Sequence, residues 1–123
     1  MEDRLSVHVV IRGDLEMTRG KISVQASHAT IGLHVDLVER DPMAQALWSS
    51  LEYPMETYEA KDQASLFKVQ MLAKQAGMLA YVVHDAGRTQ VAPHTPTVCA
   101  FGPCTEVEAR SILEGVGITE KML

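Results

Sequence analysis

The stretch Leu79–Phe101 reads LAYVVHDAGRTQVAPHTPTVCAF. Two apolar runs, Leu79–Val83 and Val98–Phe101, bracket a polar middle, HDAGRTQVAPHT, at His84–Thr95. Short runs rich in Val, bounded by Gly and Pro, read as strands. A turn between strands needs only a few residues. This connection holds an acid, a guanidinium, two hydroxyls, an amide and two imidazoles. Gly87 and Pro93 are turn punctuation and need no other purpose. The segment therefore predicts two late strands joined by a loop furnished for more than turning.

Working outward, Leu79–His84 and Thr97–Phe101 are the expected strands. Leu5–Ile11 is a third, nearly continuous in Val and Ile as in a buried central strand. Gly13-Asp14 is a turn signal. A long helix is expected over Thr18–Val38, where Ile22, Ala26, Ala29, Leu33 and Leu37 form one apolar stripe. Asp41-Pro42 restarts a helix that reaches Ser50. Met55–Ala60 is a weak strand, and Asp62 caps a third helix ending at Gly77. Thr105 with Glu108 forms a capping-box pattern that opens a last helix, ended by Gly115 and Gly117. The order β-α-α-β-α-β-β-α predicts an α/β fold, a three-layer sandwich around a largely parallel sheet.

At 123 residues the chain is expected to be one domain. Such a length buries roughly two-thirds of its unfolded surface without a staple. Hydrophobic residues at 46% and charged residues at 22% describe an ordinary globule. No apolar stretch approaches the roughly 20 residues of a membrane span. MEDRLSVHVV places acids first and holds no long apolar block, so no secretory signal is expected. Cys99 and Cys104 are expected as reduced, partly buried thiols in a reducing compartment: cytosol, nucleus or mitochondrial matrix. The net charge of −5 argues against sequence-blind nucleic-acid binding but leaves room for a local basic patch. His-Glu-x-x-His, Cys-x-x-Cys, phosphate-loop and nucleophile-elbow patterns are all missing, so no metal site or cofactor is expected.

Two groups of residues carry the candidate chemistry. Lys21, Gln25 and His28 stand at i, i+4 and i+7, and Gly32 continues the line. That face lies one helical step, about 100°, from the apolar stripe. It reads either as a partly solvated boundary or as one wall of a site, and Gly32 would admit another backbone. Asp85 follows a strand whose carboxyl end is where open α/β sheets bind ligands. It reads either as a turn-forming Asx residue or as a functional acid. Lys21 and Asp85 would meet if their two strands were neighbours, and the ammonium would then favour the carboxylate. Arg88, Thr89 and Gln90 suit phosphate or sugar oxygens.

The run DAGRTQVAP at Asp85–Pro93, with Thr97-Val98 and Gly102-Pro103 after it, resembles the signature of type II peptidyl-tRNA hydrolases. GKISVQASHA at Gly20–Ala29 is similar to that family's first-helix motif, as is Val-Ile-Arg-x-Asp-Leu-x-Met at Val10–Met17. The likeness covers most of the chain in order and spacing. It implies a metal-free, single-domain α/β hydrolase with a four-stranded mixed sheet, one edge strand antiparallel, often a homodimer. The implied substrate is peptidyl-tRNA, cleaved at the ester to the 3′ ribose. The implied functional positions are Lys21, Gln25, His28, Asp85, Arg88, Thr89 and Thr97. The chain departs from the pattern at Thr18 and His94, where relatives usually carry Gly. It departs again at Glu56 and Glu59 in the second strand and in its C-terminal residues Gly115–Leu123.

Ester hydrolysis needs an activated water, a stabilised oxyanion and a proton for the departing oxygen. Asp85 is the expected water-orienting residue and Lys21 the expected oxyanion or phosphate partner. Thr89 and Thr97 would supply hydroxyls. His28 reads as a proton-transfer group or as a buried structural imidazole. Arg12, Arg19 and Arg88 are the expected cations for acceptor-stem phosphates. Two rival readings stand beside this one. One is a non-catalytic protein-binding relative, favoured by the acidic second strand and the odd C-terminus. The other is a hydrolase of a different ester or amide.

Overall fold

A computed structural model describes residues 4–86 and 94–122. Its elements run β1 (Ser6–Arg12), α1 (Arg19–Arg40), α2 (Pro42–Ser50), β2 (Met55–Ala60), α3 (Gln63–Gln75), β3 (Ala80–His84), β4 (Pro96–Cys104) and α4 (Glu106–Glu114). Local chemistry sets most of these bounds. Thr18, in extended conformation, accepts a hydrogen bond from the Lys21 amide and starts α1. Asp41 ends α1 and caps α2, with Pro42 in the first turn. Asp62 accepts from the Ser65 amide at the start of α3. The expected capping box of Thr105 and Glu108 is complete.

The sheet has four strands in the order β2-β1-β4-β3. β1 pairs in parallel with β2 and antiparallel with β4, and β3 pairs antiparallel with β4. Three strands therefore share a direction and β4 opposes them, so two of the three neighbouring pairs are antiparallel. The mixed α/β sheet agrees with expectation. The opposed strand, however, is interior rather than at an edge. The reason lies in β4 itself, which is nine residues long and buried along nearly all its length. Such a strand belongs in the middle of a sheet. It runs on past the expected end at Phe101 through Gly102, whose φ of +113° suits glycine. A Cβ there would also lie 3.1 Å from the Ser6 carbonyl.

Helices cover both faces. Val7, Val9, Ile11, Val98 and Ala100 pack against Ala29, Leu33 and Leu37 of α1 and Trp48 of α2. Val10, Cys99 and Phe101 alternate to the other face, against α3 and α4. His8 is fully buried there, hydrogen-bonded through Nδ1 to the Tyr58 hydroxyl at 2.9 Å and stacked on Phe101. Burial pushes its pKa below the usual imidazole value. Cys99 and Cys104 are buried free thiols, each pushed up to about 12 by burial.

Glu56 of the second strand and the C-terminal residues meet. The Met122 amide donates to the Thr57 carbonyl at 2.7 Å, so the tail lies along the outer edge of β2. Lys121 Nζ lies 2.8 Å from Glu106 and 3.4 Å from Glu56. This ion pairing holds Glu106 below the usual carboxylate range and raises Lys121.

Candidate active site

α1 starts just beyond the end of β1 and rests on β4 and β3. β1 and β3 are not neighbours, because β4 separates them. The helix bridges that gap. It carries Lys21 in its first turn to the end of β3, where Nζ donates to Asp85 Oδ1. The condition foreseen for this meeting was adjacent strands; the meeting comes about through the helix instead. The Lys21 and Asp85 side chains are only 10% and 2% exposed. A nearly buried ion pair loses much hydration, and each partner depends on the other.

The backbone at Asp85 is held on both its amide and its carbonyl by His94 and Thr95. Its amide donates to the Thr95 carbonyl at 2.8 Å, and its carbonyl accepts from the His94 amide at 2.6 Å. His94 has φ of +63°, in the left-handed region where glycine is favoured.

One turn along α1 from Lys21, Gln25 is buried and accepts a 2.7 Å hydrogen bond from the Thr97 hydroxyl. Thr97 is itself fully buried on β4. The buried line of α1 is Gln25, Ala29, Leu33 and Leu37, while Ile22 and Ala26 are only partly buried. Gln25 thus joins the core stripe and does not sit on a boundary face. The sequence marked both residues separately, but nothing local announced their bond.

Arg12 departs from expectation. Its Nε and one terminal nitrogen bind both oxygens of Asp14, at 3.0 and 2.7 Å. The other terminal nitrogen donates to the Pro96 carbonyl at 3.0 Å. The guanidinium, 9% exposed, ties the end of β1 to the start of β4. It lowers the Asp14 pKa, and it is a brace for the frame of the site, not an outward cation for phosphate. Arg19 is exposed on the first turn of α1. Arg88 and Thr89 lie outside the described residues.

His28 is exposed, which removes the reading as a buried imidazole. It lines a depression of about 320 Å³ with Ile31, Gly32, Tyr81, Val83 and His84. Gly32 admits the ring of Tyr81, with which any Cβ would collide, rather than a second backbone. Tyr81 went unmarked in the sequence. Gly32 was the available signal, since a bare position on a helix asks what packs on it.

The chain was compared with known proteins. A profile of the family described as Peptidyl-tRNA hydrolase PTH2 matches residues 5–116. The chain is 35% identical over 95 residues to "Peptidyl-tRNA hydrolase 2, mitochondrial" of Homo sapiens, covering 77% of this chain and 53% of that protein. It is 35% identical over 102 residues to "Probable peptidyl-tRNA hydrolase 2" of Schizosaccharomyces pombe, covering 83% and 50%. It is 33% identical over 100 residues to "Peptidyl-tRNA hydrolase" of Methanopyrus kandleri, covering 81% and 85%. The chain spans about half the length of the human and yeast relatives it matches.

Proposed function

The chain belongs to the peptidyl-tRNA hydrolase PTH2 family, and from that premise we propose that it hydrolyses the ester between a peptide, or N-blocked amino acid, and the 3′ ribose of tRNA. The observation that carries this reading is the nearly buried Lys21–Asp85 pair at the carboxyl end of β3. Asp85 orients a water and accepts its proton as the water attacks the ester carbonyl. Lys21 has three N–H donors, of which the carboxylate takes one. The others serve the oxyanion, whose charge is worth stabilising most in a site sheltered from water. As the tetrahedral intermediate collapses, the ribose 3′ oxygen leaves and takes up a proton.

Thr97 and Gln25 form the floor, and the Thr97 hydroxyl is held in one orientation by the amide oxygen. Thr89 supplies a second hydroxyl, and Arg88 and Arg19 meet the acceptor phosphates. Asp85 returns the water's proton to the leaving oxygen, while His28, two turns further along α1, lines the depression beside the pair. The proposed setting is the cytoplasm, where buried thiols such as Cys99 and Cys104 stay reduced. A second copy would cover Val35 and Val38, exposed on the later turns of α1. Sedimentation of wild type beside Val35→Glu tests that contact: a dimer that the variant loses supports it, and a wild-type monomer contradicts it.

The function is tested by offering the protein an N-blocked aminoacyl-tRNA beside an RNA-free ester. Cleavage of the tRNA ester alone supports the reading. Cleavage of neither sinks it, and equal cleavage of both points to a general esterase.

A further inference from the structure

Two lines of residues face each other along the contact of α1 with β3. On α1 they are Lys21, Gln25, His28 and Gly32; opposite are Tyr81 and Val83 of β3 and Asp85 just beyond its end. Lys21 meets Asp85 at one end, and Gly32 meets Tyr81 at the other. Between these contacts His28 and Val83 line the 320 Å³ depression. The two spans agree in length. Eleven residues of helix cover about 16 Å, and four residues of strand about 13 Å. The seam therefore runs from the reactive pair to a point some four extended residues away.

Its wall chemistry distinguishes the two halves of the substrate. Ile31, Gly32, Tyr81, Val83 and the two imidazoles contribute no lysine or arginine, whereas an RNA backbone calls for cations. The exposed Arg19 lies at the opposite, N-terminal end of α1, while Asp36, Glu39 and Arg40, acidic on balance, lie beyond the seam's far end. β3 is an edge strand of the described sheet. Its outward N–H and C=O groups can pair with an extended chain of any sequence.

We propose that the seam between α1 and β3 receives the peptide part of the substrate, running from the Lys21–Asp85 pair toward Tyr81, with the RNA on the Arg19 side. This rests on the hydrolase reading above. It makes Tyr81 and Ile31 determinants of peptide-length preference. A single N-blocked amino acid is too short to reach them.

The test compares one tRNA carrying an N-acetylated amino acid with the same tRNA carrying an N-acetylated pentapeptide. Wild type is expected to show a KM about five- to tenfold lower for the longer substrate, the scale of one or two apolar contacts. Tyr81→Ala and Ile31→Lys should each erase that advantage and leave the shorter substrate's kcat and KM unchanged. Ile31 is 60% exposed, so its substitution probes the seam without disturbing the core. Equal KM values in wild type, or an advantage that survives in both variants, would overturn the proposal. So would a KM lowered for both substrates by Ile31→Lys, which would put RNA in the seam. Failure of the hydrolase reading looks different: wild type would cleave neither substrate, and the proposal would fall with its premise.

Discussion

Asp85 and Lys21 are worth more together than apart. Each offsets the other's charge in a nearly dry site, so deleting the lysine takes a favourable ion pair from a buried carboxylate and costs stability. Lys21→Ala is therefore expected to lower thermal stability as well as turnover, and a denaturation curve beside the rate separates the two effects. Thr97→Val keeps shape but leaves the buried Gln25 oxygen without its donor. The expected cost is about 1–3 kcal/mol in chemical denaturation, with a slower hydrolytic step. At this scale the sequence marks residue types and misses partners. Lys21 and Asp85 are legible as a cation and an acid on two candidate site edges. Arg12 was legible only as a cation, and its actual neighbours, Asp14 and the Pro96 carbonyl, decide that it braces. No local pattern announces a carbonyl 84 residues away.

Among the elements, α1 has the greatest bearing on the site, because it spans the gap that β4 opens between β1 and β3. Its start is set by Thr18, whose hydroxyl receives the amide of Lys21 itself. Thr18→Ala should cost about 1 kcal/mol, read from the denaturation midpoint. Thr18→Gly should cost only a few tenths. The helices and strands were readable because caps and periodicities are local. Sheet order was not, because it is decided by which strand buries best beside β1. The long loop hid that β3 and β4 are partners while β1 and β3 are not. The tail is a second element with a defined task. Lys121→Ala should leave the fold intact but release the residues along β2. Faster hydrogen exchange at the Met122 amide, which bonds to Thr57, is the expected reading.

For the molecule as a whole, charge and burial set the response to solution conditions. With a net charge of −5 and few cations near the site, KM should rise with salt on a shallow slope. His8 contributes one part of the response to acid. It is buried neutral, with its folded pKa below the ordinary 6.5. The unfolded chain therefore binds its proton first as pH falls. Stability owed to this group is full above about pH 6.5 and is lost as pH drops below it. Denaturation midpoints at about pH 7 and about pH 5 should differ, and the difference should shrink in His8→Gln. The most direct test of the central claim is the rate at which an N-acetylated amino acid is released from its tRNA by wild type, Lys21→Ala and Asp85→Asn, each verified as folded. Wild type should cleave, and each variant should lose on the order of 100-fold or more in kcat. Turnover near wild type in both variants would contradict the account.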